Sequence, residues 1–160
     1  QTGGLSIALI AGFAKAVELT FTDFDANVAH LRELSDYLLH ELRKRISYIE
    51  LNGAPGEGRA PHNVNISIDY IEGEAITMML DMHGITVATG SACASQGLKA
   101  NYVLMAIGKN HVQSHGSMKF TISRYTTKEQ LDYTVETLAH ITEELRSRSP
   151  LYSALKNQEK

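Results

Sequence analysis

Residues 64–87 read VNISIDYIEGEAITMMLDMHGITV, and this stretch decides the fold class. Residues 64–68 alternate apolar and polar side chains, a period of two that is typical of a strand with one buried face. Residues 74–82 favour a helix that ends at Gly84, because glycine readily adopts the left-handed backbone that often follows a helix. Residues 85–87 then predict another short strand. The stretch therefore predicts a strand, a helix and a strand in succession.

A long amphipathic helix is predicted before this stretch. Between residues 23 and 45, apolar residues recur at steps of three and four, which places them on one helical face. That face comprises Val28, Leu31, Leu34, Leu38, Leu42 and Ile46. Asp23 or Thr22 is placed to cap the helix N-terminus. Further upstream, residues 5–19 are apolar and rich in alanine, and they predict a helix that packs against a large surface.

A second amphipathic helix is predicted near the end of the chain. Residues 126–129 read TTKE, a capping box in which the Thr126 hydroxyl and the Glu129 carboxylate satisfy free backbone donors. The apolar face of this helix comprises Leu131, Val135, Leu138, Ile141 and Leu145. Residues 49–51 and 118–122 predict strands, and residues 101–107 predict a short helix. We therefore predict an α+β fold in which long helices flank a small, mostly antiparallel sheet, within one domain spanning residues 1–160.

The composition is that of a globular domain and excludes several functions. The 160 residues are 43% hydrophobic and 21% charged, which suffices for one domain with its own core. A net charge of −3 offers no basic surface for nucleic acid. No apolar run approaches the roughly 18 residues of a membrane span, and residues 5–13 lack the flanks of a signal peptide. We expect a cytoplasmic protein with no nucleic-acid or membrane partner.

The single cysteine, Cys93, is the first candidate for chemistry. It lies between alanines in residues 90–97, GSACASQG, where few side chains are available to pack around it. One cysteine cannot form an internal disulfide or a multi-cysteine zinc site. A thiol in such a loop can reach one partner to take up sulfur and another to release it, provided that it ionises. The alternative is a small hydrophobic side chain that fills a gap in the core.

The remaining candidates have simpler explanations. His111 and His115 could place two imidazoles on one helical face, but no third metal ligand lies near them in the sequence. Lys119 and Arg124 flank a predicted strand and could bind a carboxylate, although a solvated strand edge explains both. Glu72 and Glu74, flanking Gly73, could form a carboxylate pair, but acidic residues are favoured at a helix N-terminus in any case. We therefore expect no intrinsic metal site.

Residues 89–95, TGSACAS, closely resemble the active-site loop of group I cysteine desulfurases, in the class V aminotransferase superfamily. The same order of family segments continues through residues 12–16, 61–67, 70–74, 102–108, 116–132 and 149–151. The resemblance implies the C-terminal domain of a fold-type I pyridoxal phosphate enzyme. Within it, residues 1–20 correspond to the interdomain helix.

The resemblance also implies a reaction. Such enzymes convert cysteine to alanine, and the loop cysteine becomes a persulfide that passes to an iron–sulfur scaffold or another acceptor. It therefore assigns the sulfur carrier to Cys93, which could also ligate an iron–sulfur cluster shared with a scaffold. Lys119 stands where the family has an arginine for the substrate carboxylate, and Arg124 matches a different arginine.

The resemblance places the cofactor lysine in an N-terminal domain that these residues do not include. We therefore expect pyridoxal phosphate in the complete enzyme and none on this chain alone, which should be inactive by itself. The implied partners are the N-terminal domain, a homodimer partner and the sulfur acceptor.

Two alternatives stay open. A degenerate, cofactor-free paralogue could relay persulfide or bind a scaffold, which Lys119 and Gly4 favour because both depart from the family pattern. Alternatively, the chain could be an interaction domain in which Cys93 is inert.

Overall fold

The computed structural model describes residues 4–90 and 100–158. Its helices are α1 (Ile7–Thr22), α2 (Phe24–Arg45), α3 (Gly73–Met82), α4 (Tyr102–Ala106), α5 (His111–His115), α6 (Lys128–Ser147) and α7 (Pro150–Gln158). Its strands are β1 (Ile49–Leu51), β2 (Asn63–Ile68), β3 (Ala88–Thr89) and β4 (Ser117–Thr121). A single 3-10 turn, Gly56–Gly58, lies between β1 and β2.

The four strands form one antiparallel sheet in the order β1-β2-β4-β3. Val64 and Ile66 of β2 pair with Phe120 and Met118 of β4, and all four side chains are buried on one face. The long helices α2 and α6 pack against each other and enclose this face together with α3. The predicted α+β class, with long helices flanking a small antiparallel sheet, is therefore confirmed.

The core is built from the apolar faces that the sequence predicts. The buried apolar residues of the two long helices and of the loop that follows α2 are Leu34, Leu38, Leu42, Ile46, Leu131, Val135, Leu138 and Ile141. Val28, Leu31 and Leu145 lie at the edges of these faces and are only partly buried. Gly84 has a φ of +74° and ends α3 as predicted.

One predicted helix cap is displaced by a residue, and the other lacks the expected hydrogen bond although Asp23 is the N-cap residue of α2. Thr22 still belongs to α1, where its hydroxyl donates to the Glu18 carbonyl at 3.0 Å, and the Asp23 side chain makes no capping hydrogen bond. The capping box of α6 begins one residue later than predicted, at Thr127. Its side chain accepts from the Gln130 N–H, and the Gln130 side chain accepts from the Thr127 N–H.

The third strand also starts later than predicted. Residues 85–87 are not paired, and β3 comprises Ala88 and Thr89, opposite Lys119 and Met118. The reason lies at the end of α3, where the Ile85 N–H donates to the Leu80 carbonyl at 3.0 Å. Residues 85–87 are therefore used to bring the chain from this turn to the edge of the sheet, and pairing begins only at Ala88.

Helix α1 contains no buried residue. Its apolar side chains include Leu9 and Phe13, which are 76% and 73% exposed. The predicted helix is therefore present, and within the described residues its apolar side chains are left largely exposed. Among the helices of the described residues, none is long and apolar enough to cross a membrane.

Candidate functional site

The predicted sulfur carrier, Cys93, lies outside the described residues, as do the other residues from 91 to 99. The structure describes both flanks of this segment, which begin at Gly90 on one side and Ala100 on the other. Four residues at these flanks and in the adjoining elements form what we call the segment anchor: Gly90, Asn101, Ser114 and Ser117. The anchor fixes the chain on either side of the segment that carries Cys93.

A chain of hydrogen bonds connects the four anchor residues. The Asn101 Nδ2 donates to the Gly90 carbonyl at 2.9 Å, and the Asn101 backbone N–H donates to the Ser114 hydroxyl at 3.0 Å. The Ser117 hydroxyl donates to the Ser114 carbonyl at 2.7 Å. Ser114 and Ser117 are buried, so these bonds satisfy groups that water cannot reach. The two flanks of segment 91–99 are thus held in direct contact.

Asn101 is also the N-cap of α4. Its Oδ1 accepts from the Val103 and Leu104 N–H groups, at 2.9 and 3.3 Å. The oxygen of the carboxamide therefore starts the helix, while its nitrogen binds the opposite flank of the segment. The sequence indicated the start of this helix but not the second contact.

Gly90 is packed too closely for a side chain. A Cβ atom at this position would lie 2.8 Å from the Ser117 Oγ and 3.4 Å from the Asn101 Cβ. Contacts below 3.0 Å force a neighbour to move, and the Ser117 hydroxyl is itself engaged with Ser114. Glycine at this position therefore allows the flank to lie close to Ser117 and Asn101.

Polar contacts fix α4 and α5 to the sheet. Lys109, in the turn between them, is buried and pairs with the Glu50 carboxylate of β1 at 2.7 Å. The Gln113 Nε2 donates to the same carboxylate at 3.2 Å, and the Ser67 hydroxyl donates to the Gln113 carbonyl at 2.8 Å. The helices that carry Asn101 and Ser114 are thereby held against one end of the sheet face opposite the core.

Lys119 lies on the same sheet face, two residues along β4 from Ser117. Its cross-strand partners are Asn65 and Ala88, and it is exposed. The backbones of Lys119 and Ser117 are about 7 Å apart, because two residues of a strand span that distance. Ser117 lies beside Gly90. Across residues 4–90 and 100–158, the Lys119 amine has no hydrogen bond or ion pair. The structure therefore places the predicted carboxylate-binding lysine next to the point where the Cys93 segment begins.

The structure also describes the surroundings of the other candidates. Arg124 is exposed, and its Nη2 donates to the Tyr125 hydroxyl at 2.7 Å. His111 and His115 share α5 with ring centroids 5.7 Å apart, but no group of three metal-ligating side chains occurs among the residues that the structure describes. Glu72 is the N-cap residue of α3.

Comparison with known proteins identifies the family. Residues 1–134 match the family model described as Aminotransferase class-V. A cysteine desulfurase IscS of Dictyoglomus turgidum is 45% identical over 150 residues, which cover 94% of this chain and 38% of that protein. IscS 1 of Archaeoglobus fulgidus is 43% identical over 152 residues, covering 95% of this chain and 39% of that protein.

A comparison of folds agrees with the sequence relatives. The solved structure of a NifS-like protein superposes with a TM-score of 0.77 at 23% identity, covering 90% of this chain and 35% of that one. The likeness confirms the predicted fold of a domain from a fold-type I enzyme. The chain spans 38–39% of the length of the two cysteine desulfurases that it resembles. With the family model covering most of its length, the chain belongs to the class V aminotransferase family.

Proposed function

We propose that the chain is the C-terminal domain of a cysteine desulfurase and that Cys93 is its sulfur carrier. The observation that carries this proposal is the sequence TGSACAS at residues 89–95, in a chain that is 45% identical to a named cysteine desulfurase over 150 residues. We assign the activity to the complete enzyme, since the match covers 38% of that relative.

In the proposed reaction, the sulfur of L-cysteine moves to Cys93. The Cys93 thiolate attacks the substrate sulfur, a sulfur–sulfur bond forms, and the carbon–sulfur bond of the substrate breaks. The electron pair of that bond remains on carbon, which takes up a proton and becomes the methyl group of L-alanine. The products are alanine and a Cys93 persulfide. An acceptor thiolate then attacks the outer sulfur, and Cys93 leaves as a thiolate.

Pyridoxal phosphate supplies the electron sink for such carbon chemistry when it is bound. The described residues do not fit the binding of this cofactor through a lysine. A lysine that forms a Schiff base is an unpaired amine in a desolvated site. Lys109 is buried, but it is paired with Glu50, while Lys119 and Lys156 are exposed. Lys15, Lys44 and Lys128 all pair with carboxylates. We therefore propose that the cofactor lysine belongs to another part of the complete enzyme.

Lys119 is proposed to contact the carboxylate of the substrate cysteine. Two features support this role. It stands where the resembled family has its substrate-binding arginine, and its amine is exposed and unpaired in the described part of the fold. Its position beside the segment anchor would bring the substrate near Cys93.

The proposed partners follow from the same reaction. They are the cofactor-bearing domain, a second copy of the enzyme, and a thiol acceptor such as an iron–sulfur scaffold, with which Cys93 could share a cluster. A free catalytic thiol fits a reducing compartment, so we place the enzyme in the cytoplasm.

A second candidate function keeps Cys93 but omits cysteine turnover. Lys119 favours it, because a lysine replaces the planar arginine fork that suits a carboxylate. In this case the chain would accept persulfide from another protein and relay it. The two candidates separate in the complete protein, where a desulfurase forms alanine from cysteine and a relay does not.

The sulfur-carrier role can be tested on the 160-residue chain. The chain is incubated with a low-molecular-weight persulfide, and intact mass is measured before and after treatment with cyanide. We expect the gain of one sulfur atom, removed by cyanide, and no gain in the Cys93→Ser variant. Native Cys93 should also react with a small alkylating agent without denaturant. A thiol that reacts only after unfolding would contradict the proposal, because it would lie in the core.

A further inference from the structure

A cavity of about 330 Å³ lies between the C-terminal ends of α2 and α6, the turn that follows α2, and helix α7. We propose that this cavity binds a small organic phosphate. Sites for small molecules typically measure roughly 300–1,000 Å³, so the cavity suits a small ligand. The inference does not depend on the proposed role of Cys93. The residues that carry it are Arg45, Ser47, Thr142, Arg146, Tyr152 and Lys156.

The charge of the cavity wall favours an anion. Arg45, Arg146 and Lys156 line it, and Glu143 is the one acidic residue among the lining residues. None of the three cations forms an ion pair with a carboxylate in the part of the chain that the structure describes. The wall therefore has an excess of two positive charges. A phosphate monoester carries a charge of about −1.5 to −2 at pH 7, which matches this excess, whereas a monocarboxylate would neutralise only half of it.

The cations are held in place without being neutralised. The Tyr152 ring centroid lies 5.2 Å from the Arg146 Cζ and 5.1 Å from the Lys156 Nζ. Such cation–π contacts fix a cation beside the ring but leave its net charge available to an anion. Arg146 is buried, and its guanidinium also donates to the carbonyls of Ser47 and Asp69. It therefore contributes a rigidly positioned charge to the cavity.

An unsatisfied hydroxyl group supports the same conclusion. Thr142 lines the cavity and is only 2% exposed. Its buried Oγ1 has no hydrogen-bond partner among residues 4–90 and 100–158. A buried polar group without a partner destabilises the fold, and hydroxyl groups donate well to phosphate oxygens. A bound phosphate would give this hydroxyl an acceptor.

The size and the apolar part of the wall indicate that the ligand carries an organic group. A volume of 330 Å³ equals that of roughly eleven water molecules, which is more than a free phosphate ion fills. Ile46, Ala139 and the Tyr152 ring supply an apolar surface beside the cations. This surface can pack against the organic substituent of a phosphate monoester.

Calorimetric titration of the 160-residue chain tests the proposal. Phenyl phosphate is the main probe and inorganic phosphate the second, at constant ionic strength and at a pH above the second pKa of phosphate, which is about 6. We expect one saturable site per chain that binds phenyl phosphate more tightly. Equal or weaker binding of phenyl phosphate would overturn the organic substituent. Absence of saturable binding of both probes up to about 10 mM would overturn the site itself.

Substitutions of exposed cations locate the binding. Arg45→Gln and Lys156→Gln should each weaken the binding of phenyl phosphate about 2- to 10-fold, as expected for one lost contact. Arg43→Gln is the matched control, because Arg43 is exposed in the same last turn of α2 but does not line the cavity. Arg146 is left unchanged, since it also holds two backbone turns. Equal affinities of wild type and both cavity variants would overturn the assignment to this cavity.

Two further variants separate binding from folding. Glu143→Gln removes the negative charge from the wall and should tighten the binding of phenyl phosphate about 2- to 10-fold, a gain that damage to the fold would not produce. Thr142→Val removes the hydroxyl and should weaken binding by a similar factor. Because this hydroxyl is unsatisfied, Thr142→Val should not lower the unfolding temperature without ligand. Unchanged affinity in both variants would contradict the proposed contacts.

Discussion

At the scale of single residues, the proposed contact of Lys119 with the substrate carboxylate predicts how tightly cysteine binds. Arginine holds a carboxylate with a planar fork of two donors, while lysine offers a single mobile charge. One charge-assisted hydrogen bond contributes about 1.5–3 kcal/mol, which corresponds to a roughly 10- to 100-fold change in affinity. In the complete enzyme, we therefore expect Lys119→Arg to lower the KM for cysteine by about that factor. Thr121→Arg, two residues along the same strand, is the control. Identical kinetics for Lys119→Arg and wild type would show that this residue does not hold the carboxylate.

Asp69 predicts a pH dependence of stability. Burial is the largest cause that raises the pKa of the Asp69 carboxyl, and the negative charge of Glu50 raises this pKa further. The positive charges of Arg146 and Lys109 oppose the shift. The folded state therefore disfavours the ionised form. This penalty is fully present above the raised pKa, shrinks as the pH falls through it, and vanishes below the unfolded value.

We accordingly expect Asp69→Asn to raise the free energy of unfolding at pH 7. The gain should be less than about 1 kcal/mol, because the group is partly exposed and screened by solvent. Denaturant unfolding at pH 7 and at acidic pH measures the difference, which should disappear at the lower pH. A variant that is less stable at pH 7 would show instead that the carboxylate stabilises the fold through Arg146.

Residue positions were predictable where a short pattern determines them. The alternation around Lys119 places it opposite the core, and an asparagine before an apolar run marks the start of α4. The contact of Asn101 with Gly90 could not be read in this way. It depends on how α4 and β3 meet in space, and no local pattern encodes the partner of a side-chain amide eleven residues away. Arg146 was missed for the same reason.

At the scale of secondary-structure elements, Arg146 joins the end of α6 to two turns of the sheet. Its guanidinium is buried and donates to the carbonyls of Ser47 and Asp69. The residues that follow these carbonyls, Tyr48 and Tyr70, have positive φ values of 53° and 72°. Such backbone is unfavourable for residues with a side chain, so both turns need an external contact to hold them. The guanidinium supplies that contact.

A pair of arginine substitutions tests this role. Arg146→Lys removes most of the fork and leaves two partly buried carbonyls without these donors, so we expect a loss of about 1–3 kcal/mol in the free energy of unfolding. Arg148→Lys is the matched control two residues later, where the arginine is exposed and pairs with Glu144 at 2.8 Å. Such a surface pair should change stability by less than about 0.5 kcal/mol. Chemical denaturation compares the two. Equal stabilities would contradict the assignment of Arg146 as the connection between these elements.

The ends of elements were less predictable than their interiors. In α2 and α6, apolar residues recur many times at steps of three and four, so a single position that departs from the pattern does not alter the prediction of a helix. A cap rests on one or two residues. At α6, Thr126 and Thr127 were both suitable, and the turn before the helix decided between them, because the Ser123 N–H takes the Thr126 hydroxyl as its acceptor at 3.0 Å.

At the scale of the whole molecule, α1 is the least covered element of the described structure. An exposed apolar helix of this length favours association with another surface. We expect the 160-residue chain to self-associate at micromolar concentration, as measured by light scattering. A Leu9→Glu, Phe13→Glu double variant should be monomeric, because both side chains lie on the exposed surface. Met82→Glu on α3, also highly exposed, is the control and should still associate. A wild-type chain that remains monomeric would contradict this expectation.

The central claim is that Cys93 receives the sulfur of cysteine, and a single-turnover experiment on the complete, cofactor-loaded enzyme tests it most directly. The enzyme is mixed with one equivalent of L-cysteine, quenched with an alkylating agent and digested, and peptides and alanine are quantified. The account predicts one additional sulfur on the peptide that contains Cys93, in an amount equal to the alanine formed. In Cys93→Ser, neither product should form at the wild-type rate. Alanine formed at that rate by the serine variant, or by wild type with an unmodified Cys93, would contradict the account.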